Sequence, residues 1–378
     1  MVPTPEAKQI IQKLKGSASY MKRIGLLTSG GDCQGLNAAL RGVAKAIYEK
    51  FGSDAELYGI VDGYRGLIEG TYRLMKSEDF SGILNLGGTI LGTSRQPFKM
   101  MRVIDENSVD KVSAMVSNYK KMKLDCLVVL GGNGTHKTAN LLSEEGLNVV
   151  SMPKTIDNDI WGTDMTFGFQ SAVDIAANVL DCIHTTATSH GRIFVVELMG
   201  HKAGWLTLHA GIAGSADAIL LPEIPYRIDN VVKMLDRRAS IGKQFSILAI
   251  AEGAISAEDA ALSKKELKLK RAAETYPSVA YKLAKELQDK TGQEIRVTVP
   301  GHFQRGGSPC PYDRVLATRF GAAAADLIAK KQYGYMVALH GETIEPVPLG
   351  EVAGKLKLVP PACETVRQAK SIGVCFGD

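Results

Sequence analysis

No apolar run in these 378 residues reaches the roughly 18 to 20 positions a helix needs to cross a bilayer, and residues 1–20 lack the apolar core of a secretory leader. A cytoplasmic protein is expected. Six cysteines, Cys33, Cys126, Cys182, Cys310, Cys363 and Cys375, are scattered, with no close pair of the kind that binds zinc or shuttles electrons. They read as reduced thiols, mostly packing residues. The formal net charge is only +5, and the densest basic stretch, residues 264–271, carries leucines at spacings that suit a solvated helix face better than a nucleic-acid contact. Neither nucleic acid nor membrane is expected as a partner. Internal repeats and low-complexity linkers are missing too. The composition, 45% hydrophobic and 22% charged, is that of a globular protein. Its length is past the point where one core grows efficiently, so two lobes with a ligand cleft between them are expected.

Short apolar runs ending in glycine alternate with longer amphipathic stretches, which predicts an α/β fold with mainly parallel sheets in two Rossmann-like lobes. In the first lobe, strands are expected over 23–28, 57–61 and 125–130, with helices over 36–49 and 109–122. A second lobe starting after Asp159 would hold helices over 171–186, 204–213 and 278–288 and strands over 193–198, 218–221, 246–251 and 294–299. An alanine-rich helix over 315–330 fits either lobe. The strand pattern begins only at Met21, so residues 1–20 read as an appended extension. The expected division is 21–160, completed by part of 300–378, against 161–300.

In open α/β sheets ligands gather outside the carboxyl ends of the strands, and the chemistry-bearing residues concentrate there. Three glycine-rich turns stand out: Gly30-Gly31-Asp32, Gly87-Gly88-Thr89 leading to Gly92-Thr93-Ser94-Arg95, and Gly131-Gly132-Asn133-Gly134-Thr135. Glycine lets the backbone approach phosphate, and the next helix presents unpaired N–H groups and a positive dipole end. One such turn is only a tight connection. Three, with Arg95 attached, favour a polyphosphate.

The segment Pro153-Lys154-Thr155-Ile156-Asp157-Asn158-Asp159 puts two carboxylates two residues apart. An Asx-rich turn that satisfies its own backbone accounts for it as well as catalysis does. A kinase acting on a sugar alcohol needs one carboxylate to take the hydroxyl proton and others to hold magnesium near the transferred group. Further on, cations recur beside small residues at Arg192, at Arg296 and in Gly301-His302-Phe303-Gln304-Arg305-Gly306-Gly307, and arginine's planar fork matches phosphate oxygens. Glu252, after the strand 246–251, is placed either to accept sugar hydroxyls or to cap a helix.

Taken in order from about Arg23 to Arg319, these motifs resemble the phosphofructokinase family. The matching stretches are Leu-Leu-Thr-Ser-Gly-Gly-Asp at 26–32, Gly-Gly-Thr-Ile-Leu-Gly-Thr-Ser-Arg at 87–95, Thr-Ile-Asp-Asn-Asp at 155–159, Val-Glu-Leu-Met-Gly at 196–200 and Gly-His-Phe-Gln-Arg-Gly-Gly-Ser-Pro at 301–309. The resemblance implies transfer of a phosphoryl group to the 1-hydroxyl of fructose 6-phosphate in a cleft between a donor lobe (21–160) and a sugar lobe (161–300). Asp157 would be the general base, with Thr155 and Asp159 positioning substrate and Mg2+. Arg95 and Gly31 would hold the transferred group, and Asn133, Gly134 and Thr135 the donor phosphates. Met199, Gly200 and Glu252 would contact the sugar, and Arg296, His302 and Arg305 its 6-phosphate. Arg192 would reach a neighbouring subunit's site, implying a homodimer or homotetramer.

The donor markers disagree. Gly134 is similar to the ATP users, since pyrophosphate users carry a carboxylate that fills the α-phosphate's space. Lys154 is similar to the pyrophosphate users, although one group of ATP-dependent members keeps the lysine. ATP is the favoured donor, because the missing side chain at 134 decides whether the nucleotide fits; pyrophosphate is the alternative. Asn133 stands where the family has aspartate, which shifts metal binding toward Asp159 or Asp32, and His201 stands where an arginine is common. The effector site of the bacterial ATP enzymes is incomplete. Arg41, Lys45 and Lys243 fit it, but His184 replaces an arginine, so weak or no nucleotide activation is expected. A non-catalytic sugar-phosphate-binding paralogue is the reading from another class. A lipid or NAD kinase would lack the Gly-His-Phe-Gln-Arg segment.

Overall fold

The computed structural model describes residues 21–103 and 110–378. Among these residues eleven strands form two sheets: β1 (Lys22–Thr28), β2 (Ala55–Ile60), β3 (Tyr72–Met75), β4 (Cys126–Gly131), β5 (Val149–Pro153), β10 (Tyr335–His340) and β11 (Thr343–Pro348) in one, and β6 (Ile193–Leu198), β7 (Ala218–Leu220), β8 (Ser246–Ala251) and β9 (Ile295–Thr298) in the other. The helices of eight residues or more are α1 (Leu36–Phe51), α2 (Lys111–Lys121), α3 (Asn133–Glu144), α4 (Phe169–His190), α5 (Trp205–Ala213), α6 (Ile228–Ser240), α7 (Lys264–Ala273), α8 (Val279–Thr291), α9 (Pro311–Ala329) and α10 (Glu364–Ser371). None of them is long and apolar enough to cross a membrane.

The larger sheet runs β11-β10-β5-β4-β1-β2-β3, parallel except for its two edge strands, and the smaller runs β7-β8-β6-β9, all parallel. Buried strands alternate between two cores, as a covered parallel sheet requires. Ile24, Leu26, Val128 and Leu130 face one and Leu27, Leu127 and Val129 the other. Phe194, Val196 and Leu198 of β6 join the first of these cores, so one apolar cluster runs from lobe to lobe.

The strands expected over 193–198 and 246–251 are found at those residues, and helix α7 carries no buried residue, as a solvated helix should. The helix expected over 109–122 is α2; residue 109 lies outside the described residues. Elements not anticipated include β3, the β10–β11 hairpin, α6 and α10. β3 is a four-residue edge strand with three exposed residues, and β11 holds Pro346 and Pro348, which only an edge tolerates.

The chain crosses between the sheets more than once. After β9 it returns through α9, which packs on α1 so closely that a Cβ at Gly42 would lie 2.9 Å from the Thr318 carbonyl, and one at Gly321 2.5 Å from the Val43 nitrogen. The tail then goes back to the small sheet, where Cys375 bridges Ala218. Asp313, in the first turn of α9, accepts hydrogen bonds from the Ser171 N–H (2.7 Å) and Oγ (2.6 Å) at the start of α4 and is fully buried. Burial pushes its carboxyl up, against those hydrogen bonds.

Removing that carboxylate leaves buried donors unmet, at a cost of about 2–3 kcal/mol. Asp313→Ala is therefore expected to lower the melting temperature by several degrees in a thermal-shift measurement; an unchanged transition would show that this joint does not hold the helices.

Candidate active site

Order reverses in the large sheet at β1, which lies between β4 and β2, and in the small sheet at β6, between β8 and β9. Crevices open at such switch points beyond the strand ends. The turn 29–32 follows β1, Gly132 to Thr135 follow β4, 154–159 follow β5, Met199 to His201 follow β6, Glu252 follows β8 and 301–305 follow β9. The carboxyl ends of the two sheets meet there.

Their meeting is a direct contact. A Cβ on Gly31 would lie 2.6, 3.0 and 3.3 Å from Nη1, Cζ and Nη2 of Arg305, so the guanidinium lies against bare backbone. Lys154, 2% exposed, donates from Nζ to the Gly31 carbonyl beneath the same turn. Burial lowers this lysine below its usual range. The loop carrying Arg95 is tied in as well: the Gly30 N–H donates to the Ser94 carbonyl (3.1 Å), and Thr93 Oγ1 donates to the Gly30 carbonyl (2.7 Å). Arg95 itself is exposed and forms no ion pair among the described residues.

Asp157 is half-buried, its N–H held by Thr155 Oγ1 (3.1 Å). Loss of solvent, then the Asp159 carboxylate, lift its pKa to about 6; Glu252 adds to the lift, while Arg305 and His201 oppose it. Burial raises Asp159 too, opposed by Lys357 and Lys154. Asn158, between them, is left-handed at φ 49°. On the other wall, Glu252 Oε1 accepts from the N–H groups of Gly200 (3.2 Å) and His201 (2.6 Å), and Gln304 Oε1 accepts from the Met199 N–H (3.2 Å). These bonds shape the loop, so Glu252 caps no helix here. His302 is exposed beside them.

Asn133 and Gly134 open α3, and the Asn133 amide donates to the Lys355 carbonyl. A Cβ at Gly134 would meet nothing within 4 Å. Further along α3, Lys137, Asn140, Leu141 and Glu144 line a cavity of about 390 Å³ with Phe98 and Gly354. Under the turn His136 is fully buried, bonded through Nδ1 to Ser151 Oγ (3.0 Å), and burial with the nearby Lys154 pulls its pKa down to about 3, so it is neutral.

Two expected site residues stand apart. Arg192 precedes β6, and Arg296 pairs with Phe194 at its start, about 16 Å along the strand from Met199. Both hold Glu294, Arg192 through Nε at 3.1 Å and Arg296 through Nη2. The chain thus separates Arg296 from His302 and Arg305. His184 gives its Nε2 to the Gly214 carbonyl (3.0 Å) and sets its ring edge-on against Phe245.

Two residues that bond to the crevice loops carried no sequence signal of their own. Gln34 donates from Nε2 to the carbonyls of Gln304 (3.2 Å) and Gly306 (2.7 Å), and Lys357 reaches the 154–166 loop from the chain's C-terminal part. Nothing in their neighbours marks either as a site residue.

A phosphofructokinase family model matches residues 23–328. The chain belongs to the phosphofructokinase family. A relative from Spirochaeta thermophila named ATP-dependent 6-phosphofructokinase is 57% identical over 94% of this chain and 98% of its own length. ATP-dependent 6-phosphofructokinase 3 of Bacteroides thetaiotaomicron is 49% identical over 94% of this chain and 100% of its own. Among solved structures, the phosphofructokinase of Saccharomyces cerevisiae superposes with a TM-score of 0.73 at 31% identity, over 88% of this chain and 44% of that one. A pyrophosphate-dependent phosphofructokinase from Nitrosospira multiformis reaches a TM-score of 0.77 at 19% identity, over 92% and 88%, which speaks for the fold alone.

In this phosphofructokinase, alanine at Gly31 would drive the Arg305 guanidinium outward without touching the core. Gly31→Ala is expected to leave the melting temperature nearly unchanged while weakening fructose 6-phosphate binding about tenfold, as the loss of a charge-assisted bond predicts. Calorimetric titration with the sugar phosphate checks this; undiminished affinity would detach Arg305 from ligand binding.

Proposed function

We propose that this phosphofructokinase transfers the γ-phosphoryl group of ATP to the 1-hydroxyl of fructose 6-phosphate, giving fructose 1,6-bisphosphate and ADP. The observation that carries the reading is Asp157, a carboxylate lifted to about 6 at the junction of both sheets, with Arg305 beside it. Relatives named ATP-dependent 6-phosphofructokinase, 44–57% identical over nearly the whole chain, support ATP as the donor.

In the proposed reaction Asp157 takes the proton of the 1-hydroxyl as its oxygen bonds to the γ-phosphorus and the bond to the β-phosphate oxygen breaks. Thr155 holds the Asp157 backbone, and Arg95 faces the transferred group. Gly31, Asn133, Gly134 and Thr135 cradle the donor phosphates at the α3 N-terminus, and Lys154 braces that cradle from below. The base would occupy the cavity beside Lys137 and Leu141, about 10 Å along α3 from Gly134. Met199, Gly200 and Glu252 bound the sugar, with His302 and Arg305 on its 6-phosphate.

The donor set suits Mg2+: hard oxygens only, and two carboxylates close enough for Asp159 to raise Asp157, a surplus of negative charge that a cation relieves. Asp159 and the Asn133 amide oxygen would hold it, and it supplies charge neutralisation at the donor phosphates. The lobes divide as a donor lobe on the large sheet and a sugar lobe on the small one. Arg192 and Arg296, sharing Glu294, would act together in a neighbouring subunit's site of a homodimer or homotetramer. The cytoplasm, where such substrates occur, is the proposed compartment.

Protonation removes the base, so turnover is expected to fall as pH drops through about 6, well above an ordinary aspartate. Asp157→Asn should reduce kcat by roughly 10²-fold or more with fructose 6-phosphate binding retained; parental turnover in that variant would refute the role. A coupled assay with ATP and pyrophosphate in parallel tests the donor. A Cβ at Gly134 meets open space, so Gly134→Asp is expected to raise the KM for ATP at least about tenfold with a nearly unchanged melting temperature. Unaltered ATP kinetics would show that nothing bulky binds there.

A further inference from the structure

Resting on the reading above, we infer that Lys357 is a positioning residue for phosphoryl transfer: from a strap across the back of the cleft it fixes Asn158, and through Asn158 the directions of Asp157 and Asp159. The strap is residues 355–359, far in sequence from every motif that carries the chemistry.

All three ammonium protons of Lys357 are used on one loop: Nζ donates to Asn158 Oδ1 (3.0 Å), to the Thr163 carbonyl (2.8 Å) and to the Asp164 carbonyl (2.8 Å). Asn158 Oδ1 also accepts from the Thr166 N–H (3.1 Å), and Thr166 Oγ1 donates to the Thr155 carbonyl (2.8 Å). The turn is thus pinned at both ends. Asn158 sits in the left-handed region at φ 49°, which asparagine tolerates better than other side-chain-bearing residues, and these bonds fix the direction of its side chain there. It is bonded in the chain to Asp157 on one side and Asp159 on the other, so any rotation of Asn158 swings both carboxylates.

The strap's backbone reaches the other walls. The Lys357 N–H donates to the Asp159 carbonyl (2.9 Å), while its own carbonyl accepts from Trp205 Nε1 of α5 (2.9 Å). Two residues earlier the Lys355 carbonyl receives the Asn133 amide, and two residues later the Val359 N–H meets Glu223 Oε1 (2.9 Å), which also takes the Gly204 N–H. Five consecutive residues therefore touch the donor turn, the carboxylate turn and the sugar lobe, and the Lys357 side chain bonds the carboxylate turn at Asn158.

The test is steady-state kinetics on the purified full chain carrying Lys357→Met, which keeps the stem and removes the three bonds. kcat is expected to drop about 10- to 100-fold, with KM for ATP and for fructose 6-phosphate each within about threefold of the parent, because a small misdirection of reacting groups costs rate rather than binding. In an Asp157→Asn background the same substitution should cost little more, since the group it directs is already gone. A purely structural lysine would lower the melting temperature and leave kcat per folded molecule unchanged, which overturns the inference. Equal fold-losses in the parent and Asp157→Asn backgrounds overturn it too. Should Lys357→Met not fold, Asn158→Gly keeps the left-handed turn and loses the anchor: reduced kcat at near-parental KM supports the inference, and parental kcat overturns it. A parent that does not phosphorylate fructose 6-phosphate sinks the functional reading itself, whereas an active parent with an indifferent Lys357→Met sinks only this one.

Discussion

A guanidinium from the small-sheet lobe rests on a stretch of large-sheet backbone that has no side chain. Arg305 can reach Gly31 because β9 ends in the short turn 301–305 and β1 ends in paired glycines, and because the carboxyl ends of both sheets face each other. The remaining arrangement follows from that contact. It brings a fixed cation to Asp157 and joins the sugar-side turn to the first glycine turn, whose own backbone is tied to the loop carrying Arg95. Lys154 makes the contact durable by holding the Gly31 carbonyl from within.

Charge in the crevice is balanced rather than neutral. Asp157 and Asp159 lie close enough for one to raise the other, and Arg305, Lys154 and Lys357 are spaced around them. Lys154 is the donor marker most at odds with Gly134 in the sequence, yet here it is packed beneath the turn and committed to a carbonyl. A lysine so placed braces the first glycine turn from beneath. The same packing accounts for the neutral His136 below it: buried next to an ammonium, an imidazole cannot afford a second positive charge.

Arg192 and Arg296 belong to a different part of the molecule from His302 and Arg305, at the amino ends of their strands. Glu294 holds both of them in one ion-pair cluster on an open face. Their separation from Asp157 groups Arg296 with Arg192 rather than with the turn that follows it in sequence.

Periodicity and turn chemistry were enough to read the α/β class, the parallel strands at 193–198 and 246–251 and the motif turns at their ends, because those signals are local: buried runs, glycine pairs, and helix starts after them. Asp157, Gly31 and Arg305 were singled out by the resemblance of their motifs to the phosphofructokinase family rather than by periodicity. The edge strands β3 and β11 were not legible, being short, exposed or proline-bearing, with partners that determine them only once the sheet exists. Nor was any pairing across the chain. That Arg305 meets Gly31, that Glu294 joins Arg192 to Arg296, and that Lys357 closes on Asn158 are contacts between residues tens to hundreds of positions apart. Side-chain identity alone decides what chemistry each residue can perform; which residues perform it together is decided by the packing of the two sheets, since no local pattern encodes a distance through space.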